Sequence, residues 1–310
     1  MSERIDIDPR KTKNQLMTIR KTVFENLMDD FVPFPINRKL CSEWARRLNI
    51  PMKGEVILYT SYMYQLASLF HQYESIIARV GKLAGVKALS RIGTLVVRTD
   101  RDEIERAGNI LSKISSLLTE AGVDFSYLYE EEPYSGAILL ELGMIQEFRS
   151  YGEKLSSFLA SRGITTVITV DPHTLNALSR LKEMSLLEAE VKSYLDLIKV
   201  HSLSGTSKTY VFHDSCLYSR YLGRREIIRK HLIDAGMDLK EDDVVTGLRT
   251  SMCCGAPVGS VNPALSNKVA EVRANSLKRV SGKILVACPL CYQNLSKHAD
   301  GIMDIMEVII

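Results

Sequence analysis

Apolar positions first repeat along the chain with the period of a helix. Between residues 10 and 31, Leu16, Ile19, Val23, Leu27 and Phe31 fall three or four apart among polar residues. That spacing predicts an amphipathic helix, stopped by Pro33 and Pro35. The stretch KLCSEWARRLNI predicts a second, short helix with Cys41, Trp44 and Leu48 near one face, closed by Pro51. Cys41 reads there as a small buried hydrophobe. Beyond it, short apolar runs alternate with longer amphipathic segments. EVILYT, TLVVRT, DFSYLY, TTVITV, TYVFHD and KILVAC predict strands. Residues Asp102–Ala121, Ile145–Arg162, Arg224–Ala235 and Asn262–Val280 predict helices. This alternation implies an α/β fold with largely parallel sheets.

The pattern also repeats on a larger scale. VILYTSYMYQL aligns with YVFHDSCLYSR, setting Tyr62 opposite Cys216. PYSGAI aligns with MCCGAP, setting Tyr134 and Ser135 opposite Cys253 and Cys254, and Gly136 opposite Gly255. VITVDPHTLNAL aligns with ILVACPLCYQNL, setting Asp171 and Thr174 opposite Cys288 and Cys291, with Pro172 matching Pro289. The apolar segments SYLDLI and DIMEVII follow the two blocks. These matches predict two similar lobes. A helical arm spans 1–52, a first lobe without the site cysteines spans 53–185, and a second lobe spans 186–310.

The composition of the 310 residues, 45% apolar and 25% charged, is that of a globular chain able to bury a core. A net charge of +3 gives no reason to expect nucleic acid. No apolar run reaches the ~18–20 residues of a membrane span. The opening MSERIDIDPRKTKNQ has no apolar signal core. A cytoplasmic location is expected, with any membrane association arising through a partner.

Cysteine usage changes the picture. Five of the six cysteines, Cys216, Cys253, Cys254, Cys288 and Cys291, crowd towards the C-terminus. A disulfide framework belongs to small secreted chains, whereas clustering in a cytoplasmic chain points to metal or redox chemistry. In Cys288–Cys291, a C-x-x-C turn stiffened by Pro289, two thiolates can reach one metal. Gly255 allows the backbone beside the vicinal pair to come close or to take a positive φ. Four thiolates satisfy zinc or a cubane cluster, so the fifth is surplus unless one sulfur bridges two metals.

The spacing of these cysteines, with 36 residues between Cys216 and Cys253 and 33 between Cys254 and Cys288, resembles the cysteine-rich CCG domain. That domain occurs in the B-type and D-type components of heterodisulfide reductases. Iron–sulfur subunits of glycolate, lactate, glycerol-3-phosphate and archaeal succinate oxidoreductases carry it too. VFHDSC resembles the family's His-Asp-Pro-Cys block, with Ser215 where proline is common. The resemblance runs over roughly residues 35–310 and is only architectural in the first half. It implies two tandem domains and a noncubane 4Fe-4S cluster on Cys216, Cys253, Cys254, Cys288 and Cys291 beside Gly255. Cys254 and His213 are the implied catalytic candidates. A ferredoxin-like iron–sulfur subunit or a flavoprotein subunit would exchange electrons with a disulfide or other small sulfur compound through this site.

The departures matter equally. Tyr62, Tyr134, Ser135, Asp171 and Thr174 leave the first half without ligands for an equivalent cluster. The chain lacks the cysteine run of ferredoxin-type domains, so a partner must supply electrons.

Other readings remain open at this level. Zinc on four of the cysteines would make a structural subunit, and oxidised cysteine pairs are a further state. Cys288 and Cys291 alone would serve a thiol–disulfide oxidoreductase. His213 either bonds a cluster sulfur and relays a proton, or satisfies a loop carbonyl. His173 is expected to be a structural loop histidine rather than a replacement metal ligand. RYLGRREIIRKH is expected to be a solvated helix face rather than a dock for an acidic electron donor. GKLAGVKAL meets no nucleotide fingerprint, so no flavin or nucleotide site is expected. The N-terminal helix either packs on its own lobe or binds a partner.

Overall fold

The computed structural model describes residues 9–70, 101–201 and 209–309. The predicted strand TLVVRT and the segment GKLAGVKAL lie outside them. The described strands form two sheets, and every pairing is parallel. The first sheet has the order β1 (Val56–Tyr59), β2 (Thr166–Thr169), β3 (Glu190–Ser193). In the second, β4 (Thr209–Phe212) lies between β5 (Asp238–Leu239) and β6 (Ile284–Val286), and β7 (Ile302–Asp304) is outermost beside β6. Ile57, Leu58, Tyr59, Val211, Phe212, Ile284, Leu285 and Val286 are all buried. Consecutive burial without alternation is what a parallel sheet covered on both faces demands. The sheet order carries β3 past residue 185, since it pairs with β2 in register Thr166↔Glu190.

The helix Pro9–Asp30 packs on its own chain. Its Ile19, Val23 and Leu27 share a core with Phe148, Leu155 and Leu159 of helix Ile145–Ser161. The predicted second helix divides in two, Arg38–Cys41 and Glu43–Arg47. Asn37 Oδ1 caps the first by accepting from Leu40 N at 3.1 Å, and Ser42 Oγ donates back to Arg38 O at 2.8 Å. A serine bonding its own backbone interrupts helices in this way. Cys41 is buried, and burial pushes its thiol up to about 12.

DFSYLY makes a single bridge, Ile57↔Ser126, rather than a strand. Tyr129 then turns at φ 54° into the 3-10 segment Tyr129–Glu131. That turn delivers Glu132 into the interior, where Thr60 N donates to it at 2.6 Å and Tyr127 OH at 3.1 Å. Satisfying a buried carboxylate outweighs continued pairing here. Burial raises that carboxyl to about 7.

Strands end alike in the two sheets. After β2, Asp171 caps helix Pro172–Glu183 with φ −144°, accepting from His173 N at 2.8 Å and Thr174 N at 3.0 Å. After β6, Cys288 holds the same place before helix Pro289–Leu295 with φ −139°. Its side chain makes no cap bond. Among the described residues, no helix is long and apolar enough to cross a membrane.

Candidate metal centre

The site is assembled at the C-terminal ends of β4 and β6. Beyond β4, His213 N donates to Leu285 O at 2.8 Å. Asp214 follows, fully buried, gripped by Arg229 through Nη1 at 2.7 Å and Nη2 at 2.8 Å. The chain then enters a π-helical turn, Leu217–Tyr221, closed by Leu222 N to Leu217 O at 2.9 Å. Such wide turns recur at functional sites because they redirect one side chain. Here the turn starts at Cys216.

RYLGRREIIRKH is only in part the solvated face its charge predicts: Tyr221, Glu226 and Lys230 are exposed, but Arg229 and His231 are buried. Arg229 is 7% exposed and also bonds Glu241 Oε1 at 2.7 Å. His231 Nε2 meets Leu195 O at 2.8 Å. Arg225 donates to Thr246 O at 3.1 Å and Arg220 to Ser251 O at 3.0 Å. These arginines meet carbonyls and a carboxylate of the segment leading to Cys253 and Cys254, which need donors.

At the vicinal pair, Gly255 sits at φ 84°. A Cβ there would meet Ser266 O and Val269 Cβ, each at 2.9 Å. Gly255 N donates to Cys253 Sγ at 3.3 Å. Asn294 Nδ2 holds Cys254 O at 2.7 Å, and Ser266 Oγ holds Gly255 O at 2.8 Å. All five sulfurs fall into one line of neighbours. Cys216 and Cys253 are 3.9 Å apart. Cys253 bonds on to Cys254, Cys254 to Cys291, and Cys291 to Cys288. None is in a disulfide. Cys254, Cys288 and Cys291 are buried, and Cys216 and Cys253 are partly exposed. Cys41, the sixth cysteine, belongs to a different core.

Proton affinity is divided unevenly along this line. Hydrogen bonds from Cys216 and Cys254 hold the Cys253 thiol well below its ordinary value. Burial pushes Cys288 upward, but bonding to Cys291 and the charge of His173 overcome it and bring the thiol down to about 5. Cys216, Cys254 and Cys291 are raised, each first by a bond to a neighbouring sulfur. Crowded thiols cannot all ionise without a cation between them.

His213 is fully buried, and burial with the charge of Arg273 keeps it well below its ordinary value. Arg273 Nε donates to His213 Nδ1 at 3.0 Å. The ring is therefore neutral with its proton on Nε2, an atom without a partner among the described residues. A ring nitrogen of His213 and the sulfurs of Cys254 and Cys291 lie within 4.8 Å of one another. This orphaned donor beside a set of soft ligands is consistent with a bound thiophilic metal or iron–sulfur group.

His173 departs from its expected role as a loop histidine. It is buried in the first turn of Pro172–Glu183, with Nδ1 2.5 Å from Glu141 Oε1 and Nε2 3.2 Å from Cys288 Sγ. Burial lowers its affinity for a proton, but Glu141 and Cys288 together raise it well above the ordinary histidine value. Arg273, Asn294 and Glu141 were not anticipated from sequence. For Arg273 a signal existed: it falls among Ser266, Ala270, Ala274 and Leu277, the buried stripe of helix Pro263–Val280.

Of the residues that the sequence sets opposite the cysteines, Tyr62, Tyr134, Ser135 and Asp171 bond within the first half. Tyr62 OH donates to Tyr129 O at 2.6 Å, and Tyr134 OH accepts from Ile138 N at 3.1 Å. Ser135 N donates to Ser61 Oγ at 2.8 Å, and Asp171 is a helix cap.

The probable iron-sulfur-binding oxidoreductase FadF of Bacillus subtilis is 26% identical over 209 residues, covering 63% of this chain and 29% of FadF. The D component of the dihydromethanophenazine:CoB–CoM heterodisulfide reductase of Methanosarcina acetivorans is 28% identical over 213 residues, 63% of this chain and 51% of that protein. The EtfAB:quinone oxidoreductase of Syntrophomonas wolfei is 26% identical over 219 residues, 65% of this chain and 29% of that protein. The match thus spans about a third to a half of these relatives' lengths. Residues 210–296, which contain all five clustered sulfurs, match the cysteine-rich CCG domain.

Proposed function

We propose that the chain is an iron–sulfur subunit of a redox complex, with one cluster, of the noncubane 4Fe-4S type, held by Cys216, Cys253, Cys254, Cys288 and Cys291. The observation that carries this reading is the unbroken line of five free thiols around the left-handed Gly255. When bound, such a cluster exchanges single electrons and offers iron to a sulfur of the substrate. Gly255 lets the backbone approach the sulfurs, His213 directs its Nε2 proton towards them, and Arg273 fixes that tautomer. Cys254 and His213 stand where a substrate sulfur and a proton would be handled. A ferredoxin-like iron–sulfur subunit or a flavoprotein supplies or takes the electrons, and a disulfide or other small sulfur compound is the other reactant. The names of the relatives, an iron–sulfur-binding oxidoreductase and a heterodisulfide reductase component, support this direction. An iron–sulfur subunit of a succinate-, glycolate- or lactate-type oxidoreductase fits the same site with a different reductant. The complex works in the cytoplasm, or at a membrane through a partner.

In the same proposal, the first half is a copy of the second whose ligands have been replaced. The matched strand ends at Asp171 and Cys288 and the matched glycines, Gly136 at φ 81° and Gly255 at φ 84°, support it. The pairing of β3 with β2 supports setting the division between lobes after the 3-10 turn Tyr194–Asp196.

Anaerobic purification with iron, sulfide and zinc analysis tests the reading, followed by low-temperature electron paramagnetic resonance with and without a candidate disulfide. Iron and sulfide with a substrate-dependent signal are expected. Stoichiometric zinc without iron would end the electron-transfer reading. The convergence of His213, Cys254 and Cys291 favours that zinc alternative. Arg273 opposes it, since an Nδ1 that accepts from Arg273 leaves the proton on the nitrogen a metal would need.

A further inference from the structure

We propose that His173 and Glu141, both from the first half, form a positioning pair for the Cys288 thiolate, so that the ligandless lobe helps to tune the metal centre of the other. The proposal rests on Cys288 being a metal ligand, as above, but not on the metal being iron.

Three observations converge. The first is the line Glu141 Oε1, 2.5 Å, His173 Nδ1, with His173 Nε2 3.2 Å from Cys288 Sγ. A sulfur bound to metal has no proton to give, so Nε2 must be the donor. Nδ1 then donates to the Glu141 carboxylate, which fixes the plane and direction of the ring. This carboxylate–histidine–ligand order is how outer groups orient metal sites, here with the histidine one step further from the metal.

The second observation is local. His173 is aimed by the Asp171 cap and by Pro172, which begin its helix at the end of β2. A loop histidine would not hold a sulfur at fixed distance; one in the first turn of a capped helix does.

The third is where the pair sits. A narrow cavity of about 40 Å³ between the halves is lined by Ile138, Glu141 and His173 from one side and by Pro257, Ser260 and Leu290 from the other. In the internal alignment, Ile138 matches Pro257 and His173 matches Leu290, and carrying the first block three residues further sets Glu141 opposite Ser260. The cavity thus lies where the two copies face each other, and only the first copy brings an acid and an imidazole to it. The degenerate half has lost sulfurs, but at this meeting point it has the chemically active side chains.

Hydrogen bonds to ligating sulfurs lower their electron density, which raises a cluster's reduction potential and tightens metal retention. The test uses the full chain in two metal states. In the first, the metal-free chain is titrated with cobalt(II), whose sulfur-to-metal charge-transfer band reports the thiolates directly. H173L should shift that band to lower energy and weaken cobalt binding about 10–100-fold. E141Q should shift it the same way by less, and H173Q, which restores an N–H donor, should recover part of the change. In the second, the midpoint potential of iron-loaded H173L should be more negative than that of wild type. An unmoved band and unmoved potential in H173L would overturn the proposal, as would a shift that H173Q fails to reduce. If H173L does not fold, the E141Q band decides. A band shift in a chain that never takes up iron supports the pair while ending the iron–sulfur reading. Iron uptake with an unmoved potential does the reverse. A wild-type chain that binds neither metal overturns both.

Discussion

Arg273 Nε and His213 Nδ1 meet at 3.0 Å with both side chains buried, and the same guanidinium donates to Val245 O at 2.6 Å. An arginine in the apolar stripe of a helix is tolerated only where it has such acceptors. Replacing it by methionine keeps the packing but leaves His213 Nδ1 and Val245 O unmet. Arg273→Met should lose about 2–4 kcal/mol of stability and a large share of bound metal. Denaturant unfolding and metal analysis of the same preparation measure both. Full metal content in the variant would mean that the His213 tautomer is not set by Arg273.

Gly255 and Gly136 offer a paired test. Both have positive φ, and a Cβ at either would collide: with Ser266 O at Gly255, and with Tyr151 Cδ1 at Gly136. Each alanine variant should lose about 1–3 kcal/mol. Gly255→Ala should also lose metal, whereas Gly136→Ala should keep it, since its turn holds Tyr134 and Ser135 rather than sulfurs. Equal metal content in the two variants would refute the role given to Gly255.

Stability should depend on pH through Glu132. Burial raises its carboxyl from 4.5 to about 7 in the folded chain. The folded state therefore binds the proton more tightly than the unfolded one. The associated stability is fully present below about pH 4.5 and is lost as pH rises through 7. Glu132→Gln, which mimics the protonated acid and keeps partners for Thr60 and Tyr127, should match wild type at pH 5 and exceed it at pH 8. The gain should be on the order of 3 kcal/mol. Thermal melts at the two pH values read it out, and a gain of the same size at both would exclude the mechanism.

The cysteines should separate into two classes. Cys254→Ala and Cys291→Ala should each abolish stoichiometric metal binding, because each removes a sulfur from the middle of the line. Cys41→Ala should leave metal content intact and cost about 1 kcal/mol as a small core deletion. Metal loss in the Cys41 variant would show that the first core, not the sulfurs, limits loading.

Much of this was legible in the sequence because it is local. Strand runs such as TTVITV and KILVAC, the helical stripe of residues 10–31 and the glycine beside the vicinal cysteines act through near neighbours. What the sequence concealed depends on distant partners. Glu141 and Cys288 are 147 residues apart, and only folding places His173 between them. RYLGRREIIRKH has the composition of a solvated face, and the bonds of Arg220, Arg225 and Arg229 follow from carbonyls and an acid contributed by residues 241–251. DFSYLY has every propensity of a strand, yet the buried acid at Glu132 bends it away after one bridge.

The uneven burial of the five sulfurs gives the site a direction. Cys216 and Cys253 are partly exposed, while Cys254, Cys288 and Cys291 lie behind them. Whatever arrives from solvent therefore meets the same two sulfurs first, whether it is incoming metal, a thiol-reactive poison or oxygen. Filling and damage would share a single doorway, and a partner docked across it would act as the door.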